Sequence, residues 1–152
     1  MKRQINIVTD GSSIGNPGPG GWAAVLTCGS KRRAISGSSE WTTAPRMELT
    51  AAIEALRTLE AGSRVCLSSD SEYLIRGMRH LARRWQREGW RNSRGEPLQD
   101  RALWQLLLQL DEEHDIQWSW VRGHNGHPIH TEADSMAYSA ARSQWVRLRE
   151  AA

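Results

Sequence analysis

The chain has 152 residues, of which 39% are hydrophobic and 24% charged, and a formal net charge of +3. This is the composition of one globular domain and excludes a disordered or fibrous chain. The longest apolar run, Trp22 to Leu26, is far short of the roughly 20 residues a membrane helix needs. Two cysteines, Cys28 and Cys66, are too few for a disulfide scaffold or a zinc-ribbon ligand set, and read as inert buried thiols in strands. No apolar signal core follows Met1-Lys2-Arg3-Gln4, so a cytoplasmic protein is expected.

In chain order, Gln4 to Thr9 alternates polar and apolar residues and reads as a strand turning at Asp10-Gly11-Ser12. Gly15 to Gly21, with Pro17 and Pro19, reads as a loop incompatible with helix or strand. Trp22 to Cys28 and Arg33 to Trp41 are predicted strands. The apolar spacing from Arg46 to Leu59 predicts an amphipathic helix closed by Gly62. Val65 to Ser69 is a short predicted strand ending at Asp70. Ser71 to about Glu88 is predicted helical with a break near Gly77 to His80. Asn92 to Pro97 is a polar loop. A helix over Asp100 to Leu110, a strand over Ile116 to Val121, a loop over Gly123 to Pro128 and a last helix from Thr131 to about Trp145 complete the chain. Three early strands on short connections should pair antiparallel, and later strands alternating with helices should be parallel. One domain spanning 1–152 is expected, with residues 143–152 either extending the last helix or fraying.

Charge is unevenly spread. Residues 79–101 hold seven arginines against Glu88, Glu96 and Asp100, a local net of +4, so the remainder nets −1. Trp85 and Trp90 lie in the same window. Arginines mixed with indoles suit a nucleic-acid backbone. The alternative is a solvated helix face anchored to the core by its two tryptophans.

Four acids stand in unusual places. Projected at about 100° per residue, Glu48 falls within the apolar arc of its helix, whereas Glu54 falls opposite. A buried carboxylate costs several kcal/mol unless something offsets it, and an ion pair with Arg46 or another arginine would do so. Asp10 and Asp70 each end a strand-like run, where ligands collect in open α/β sheets. A turn residue and a helix N-cap are their structural readings. Asp134 lies early in the last helix, where the dipole alone favours an acid. If the four converge, they repel by about 4 kcal/mol per pair at 4 Å and an effective dielectric near 20. Cations must then balance them. All-oxygen ligands suit Mg²⁺ or Mn²⁺, and such clusters hold two metals for phosphodiester chemistry. No Gly-Lys-Ser/Thr phosphate loop, HExxH zinc motif or Gly-x-Ser-x-Gly elbow is present.

Thr9-Asp10-Gly11-Ser12 is followed by Gly15-Asn16-Pro17-Gly18-Pro19-Gly20-Gly21. Then come Arg46-Met47-Glu48-Leu49 with Ala51-Ala52, and Ser69-Asp70-Ser71 with Tyr73. Trp118, Trp120-Val121, Gly123-His124, Gly126-His127-Pro128 and Asp134 close the series. In order and spacing, over about residues 4–142, this series resembles bacterial type 1 ribonuclease H. The resemblance implies an α/β ribonuclease H-like fold: a mixed five-stranded sheet, three strands antiparallel and then parallel, with helices on both faces. It implies endonucleolytic cleavage of the RNA strand of RNA–DNA hybrids, using two Mg²⁺ ions, or Mn²⁺, on Asp10, Glu48, Asp70 and Asp134. His124 matches a mobile histidine assisting proton transfer or product release; His127 and His130 are read as structural. Gly11, Asn16 and Met47 match nucleic-acid contacts. Residues 79–101, with Arg83, Arg84, Trp85, Arg87 and Trp90, and Trp104 beyond them, match a basic protrusion that grips the DNA strand. The expected partner is the hybrid duplex, with no membrane and a monomeric chain. Ala44-Pro45, Glu72 and His130-Thr131-Glu132-Ala133 depart from the family pattern without removing a metal ligand. A DNA-acting nuclease of the same fold and a non-catalytic hybrid-binding module are the competing readings.

Overall fold

The computed structural model describes residues 3–123 and 127–151. Five strands form one sheet in the order β3-β2-β1-β4-β5. They are β1 (Gln4–Ser13), β2 (Gly18–Cys28), β3 (Lys31–Thr42), β4 (Arg64–Ser69) and β5 (Asp115–Trp120). β1, β2 and β3 pair antiparallel, while β4 runs parallel to both β1 and β5. This is the mixed sheet the connections predict.

Two local expectations are corrected. Asp10 does not end a strand: it pairs with Ala23, and β1 continues through Gly11, Ser12 and Ser13. The glycine-rich segment is not all loop either, because β2 already begins at Gly18. Pro19 is tolerated within this internal strand because the β2–β3 register slips between Gly18 and Gly20, where a ladder hydrogen bond is dispensable. The glycines are there for close approach. A Cβ on Gly20 would lie 2.2 Å from Thr42 Cγ2 and 3.0 Å from Met47 Cγ. One on Gly21 would lie 2.3 Å from the Ala137 carbonyl oxygen. Successive residues of a strand face opposite ways, so Met47 and Ala137 belong to helices on opposite faces of the sheet.

Those helices are α1 (Ala44–Arg57) and α5 (Pro128–Ala151). α1 begins two residues before the predicted helix. Thr43 caps it, its hydroxyl accepting from the Arg46 N–H, and Pro45 stands in the first turn. It ends at Thr58 rather than near Gly62. Gly62 instead sits in the following turn, with its N–H bound to the carbonyl of Glu113. α5 starts at Pro128 and continues through residues 143–151.

The predicted break after Ser71 is a π-helical turn over Gly77–Leu81, lying between α2 (Glu72–Arg76) and α3 (Ala82–Arg87). The indole of Trp104 on α4 (Arg101–Glu113) packs against the glycine that opens this turn, and would lie 2.2 Å from a Cβ on Gly77. Trp104 is fully buried and meets Tyr73 and Trp85 edge to face. It belongs to the core, not to a nucleic-acid surface.

The core lies between the sheet and the α1–α4 layer, with Ile7, Leu49, Leu56, Leu67, Leu74 and Leu107 completely buried. Neither cysteine is fully buried, contrary to expectation. In β4 the alternation points Val65 and Leu67 into this core and Cys66 to the other face, where α5 packs on β1, β2 and β3 instead. No helix among the described residues is long and apolar enough to cross a membrane.

Candidate active site

Glu48 is presented by the first turns of α1, on the helix face buried against the sheet. Gly11 makes that approach feasible, since a Cβ there would lie 2.5 Å from the Glu48 backbone nitrogen. Asp10 is the preceding residue of β1, and its Oδ1 accepts from the Gly11 N–H at 2.9 Å. Asp70 follows β4. Capping of α2 falls to Ser71, whose hydroxyl accepts from the Leu74 N–H, so the Asp70 carboxylate is not consumed as an N-cap. One carboxylate oxygen from each of Asp10, Glu48 and Asp70 lies within 4.8 Å of the others. Asp134 comes from the second turn of α5 and reaches the Asp10 carboxyl as a hydrogen-bonding neighbour. Three distant chain segments therefore meet at one end of the sheet, with Asp134 of a fourth beside the Asp10 carboxyl but outside that mutual cluster.

Among the described residues, no arginine forms an ion pair with Glu48. Arg46 turns away to Asp100, at 2.6 Å. Asp10 Oδ2 and Glu48 Oε2 are buried and, among the described residues, receive no hydrogen bond from an N–H or hydroxyl. Their polar neighbours are other carboxyls, which offer no donor when ionised. Burial raises the Asp10 carboxyl to about 7; the Asp70 charge and the Asp134 contact add to that, and the contacts from Glu48 and the Gly11 N–H only partly offset it. Burial first, and then the Asp10 and Asp70 charges, hold Glu48 well above the usual carboxylate range. A cluster of hard oxygen donors, partly buried, under-protonated only at a cost and lacking any thiolate, fits a divalent cation.

The sign of this effect can be tested. Asp10 binds its proton more tightly in the folded chain, so its contribution to stability is full below pH about 4 and is lost as pH rises through about 7. The metal-free protein is therefore expected to lose on the order of a few kcal/mol between pH 4 and pH 8 at this site. Thermal melts across that range with chelator present, against melts with Mg²⁺ added, would show it; no difference in slope between the two would contradict it.

The remaining site residues fall as follows. Asn16 is exposed on the loop between β1 and β2, and Met47 is buried against the start of β2. Arg83, Arg84 and Arg87 project into solvent from α3. Arg83 also approaches Asp111, at 3.5 Å, and Arg84 approaches Glu88, at 3.8 Å. Trp85 and Trp90 are half-buried and packed on the core, so both indoles anchor the basic segment whatever else they touch. His130 is buried and meets His127 edge to face at 5.7 Å. Glu132 forms an ion pair with Arg32 of β3, tying the start of α5 to the sheet. His124 lies outside the described residues.

One part of the site was not anticipated. The Asp100 side chain, only 3% exposed, accepts from both Arg46 and the Tyr73 hydroxyl, the latter at 2.8 Å. Burial, then the hydrogen bond to Asp100, pushes the Tyr73 hydroxyl up to about 12, so it stays a donor. This network joins α1, which carries Glu48, to α2, which follows Asp70, and to the start of α4. Arg46 and Tyr73 stood in the sequence motifs, but nothing in spacing pointed to Asp100 as their common partner.

Comparison with known proteins agrees with this arrangement. Residues 2–142 match the family model described as RNase H. The chain is 47% identical to the ribonuclease H of Pelobacter propionicus over 136 residues, covering 90% of this chain and 83% of that one. It is 47% identical to the ribonuclease H of Geotalea uraniireducens, covering 90% and 93%. Among solved structures it is similar to LC9-RNase H1, described as a type 1 RNase H, with 32% identity, a TM-score of 0.84, and coverage of 95% of this chain and 74% of that one. It shares its fold with LC11-RNase H1, solved in complex with an RNA/DNA hybrid, at 21% identity and a TM-score of 0.69, covering 91% and 97%. With sheet order, acid cluster and near-full-length similarity in agreement, the chain belongs to the RNase H family, in its bacterial type 1 branch, and is an endoribonuclease of RNA–DNA hybrids.

Proposed function

We propose that Asp10, Glu48, Asp70 and Asp134 are the catalytic and metal-binding residues, and that they hold two Mg²⁺ ions, with Mn²⁺ as the alternative. The family is metal-dependent. Bound cations would supply activation of the attacking water and stabilisation of the leaving oxygen. The observation that carries this reading is the convergence of three carboxylates within 4.8 Å, two of them buried.

The chain's own residues have separate tasks. The Gly11 N–H fixes the Asp10 carboxyl, and the close packing of α1 on β1 fixes Glu48 against it. Asp134, exposed on α5, closes the site from the solvent side. His124, in the Gly123-His124 motif, handles a proton or assists product departure. Hybrid binding falls to Gly11, Asn16 and Met47 near the acids, and to Arg83, Arg84, Trp85, Arg87 and Trp90 on the basic segment. Such a surface reads backbone charge, duplex shape and 2′-hydroxyls rather than base edges. We take the protein to act as a monomer in the cytoplasm, as one domain with a basic protrusion.

Labelled hybrid, RNA duplex and DNA duplex should each be incubated with Mg²⁺ and with chelator. Cleavage of the RNA strand of the hybrid alone, and only with the ion, is expected. Cleavage of the DNA duplex would favour the DNA-acting reading, and hybrid binding without cleavage the non-catalytic one.

Replacing Arg83, Arg84 and Arg87 together with Gln should raise KM and reduce the dependence of log KM on log salt by about 2 to 3, with kcat largely kept. Arg83 approaches Asp111 at 3.5 Å and Glu112 at 3.9 Å on α4, and Arg84 approaches Glu88, just past α3, at 3.8 Å, and such exposed pairs contribute little to folding. An unchanged salt slope would remove the segment from substrate binding.

A further inference from the structure

Beside the acid site lies a cavity of about 300 Å³, lined by Glu72, Ile75, Arg76, Arg79, His80 and Trp120. Its size is at the lower end of the range for small-ligand clefts. Trp120 ends β5 and is 39% exposed, one of the few large apolar side chains on the surface. Its indole N–H donates to the backbone carbonyl of Asp70 at 3.3 Å, so the wall of the cavity is bonded directly to a residue of the acid cluster. The Arg122 guanidinium lies 5.6 Å from the Trp120 ring centroid. Arg76 and Arg79 are exposed on successive turns of the helical segment after Asp70, and Glu72 is the one acid of the lining.

An exposed indole and two exposed arginines, above the buried Ile75, make the recognition set for one unpaired nucleotide. The base stacks on the ring, and the phosphate pairs with guanidinium groups. A base inside the duplex cannot offer its face to the indole, so the ligand must be a nucleotide that has left the hybrid. Because the cavity wall is held by Asp70, the strand nearest to it is the strand being cut. We propose that this cavity is a subsite for an unpaired ribonucleotide of the RNA strand, where that strand leaves the hybrid close to the cleaved bond. The inference rests on the hybrid-nuclease reading of the acid site and deepens it. It makes the junction between hybrid and single-stranded RNA a favoured substrate over a blunt hybrid of the same sequence.

The test is steady-state cleavage of four hybrids with one duplex sequence. One is blunt; the others carry a three-nucleotide unpaired extension at the 5′ end of the RNA, at the 3′ end of the RNA, or on the DNA strand. Arg76→Gln and Trp120→Leu are compared with the wild-type chain. Stacking of one base predicts a KM about tenfold lower for one of the RNA-extended hybrids. Arg76→Gln should lose most of that advantage while cleaving blunt hybrid at the wild-type rate, and Trp120→Leu should lose it too. Equal KM for blunt and extended hybrids in the wild type would overturn the subsite, as would an advantage that survives in both variants or appears only with the DNA extension. Failure to cleave even blunt hybrid would instead overturn the hybrid-nuclease reading, so the two failures are distinct.

Discussion

Asp10→Asn should abolish cleavage and, at the same time, make the metal-free protein harder to melt. The loss of rate follows from removing a carboxylate that meets Glu48 and Asp70 at one point and has Asp134 beside it, and should be about 10³-fold or more. The gain in stability follows from the same contact. At pH 8, Asp10 lies above the value of about 7 to which burial raises it, so its charge is present and unbalanced. An asparagine of the same shape carries no charge and brings an amide that can donate to the Glu48 carboxyl. Relief of one such repulsion should be worth roughly 2 kcal/mol, or about 6 °C for a chain of this size. The advantage should disappear at pH 4, where the wild-type carboxyl is protonated as well, and reverse in Mg²⁺, which stabilises only a chain that binds it. Calorimetry of both proteins at the two pH values, with chelator and with Mg²⁺, measures all of this. A lower melting temperature for the variant at pH 8 in chelator would contradict the account.

Gly11→Ala is expected to be the most damaging small change near the site. A methyl group there would lie 2.5 Å from the Glu48 nitrogen, 2.6 Å from the Met47 carbonyl carbon and 2.8 Å from Met47 Cβ. Two of these neighbours are backbone atoms of a helix capped by Thr43 and packed along its whole inner face, so they cannot swing aside. The helix must lift from β1 as a body. Overpacking of this kind costs roughly 3 kcal/mol, which is about 10 °C. Lifting α1 also carries Glu48 away from Asp10, so activity should fall more than stability explains, even at a temperature where the variant is fully folded. A variant that melts 10 °C lower but cleaves normally when folded would show that the spacing of β1 and α1 does not set the acid geometry.

Much of this was legible from residue types and spacing. Helical periodicity alone put Glu48 on the buried face of α1 and Glu54 on the outer one, where it pairs with Arg57. Short connections gave the antiparallel strands, and helical crossovers the parallel ones. The errors cluster where backbone packing overrides local propensity. Gly18 to Gly21 reads as loop by composition, yet it is strand because two helices need room for close approach on either side. The motif groups Trp104 with the basic segment, but the gap left by Gly77 takes it inside. In the sequence, Asp100 is only one negative charge among arginines. Its partners are Arg46, 54 positions away, and Tyr73, 27 away, and no local pattern encodes a pairing over such distances.

That buried aspartate has a practical consequence. It is the pin at which the end of the basic segment is fastened to the block that carries the acids: one oxygen takes the guanidinium of α1 and the other the phenol of α2. Between the π-turn and this pin, the exposed arginines are therefore exchangeable, whereas Ala82, Trp85 and Trp90 must stay to seat the segment on the core. A nuclease with a differently charged segment should keep its cutting geometry so long as Arg46, Tyr73 and Asp100 stay together.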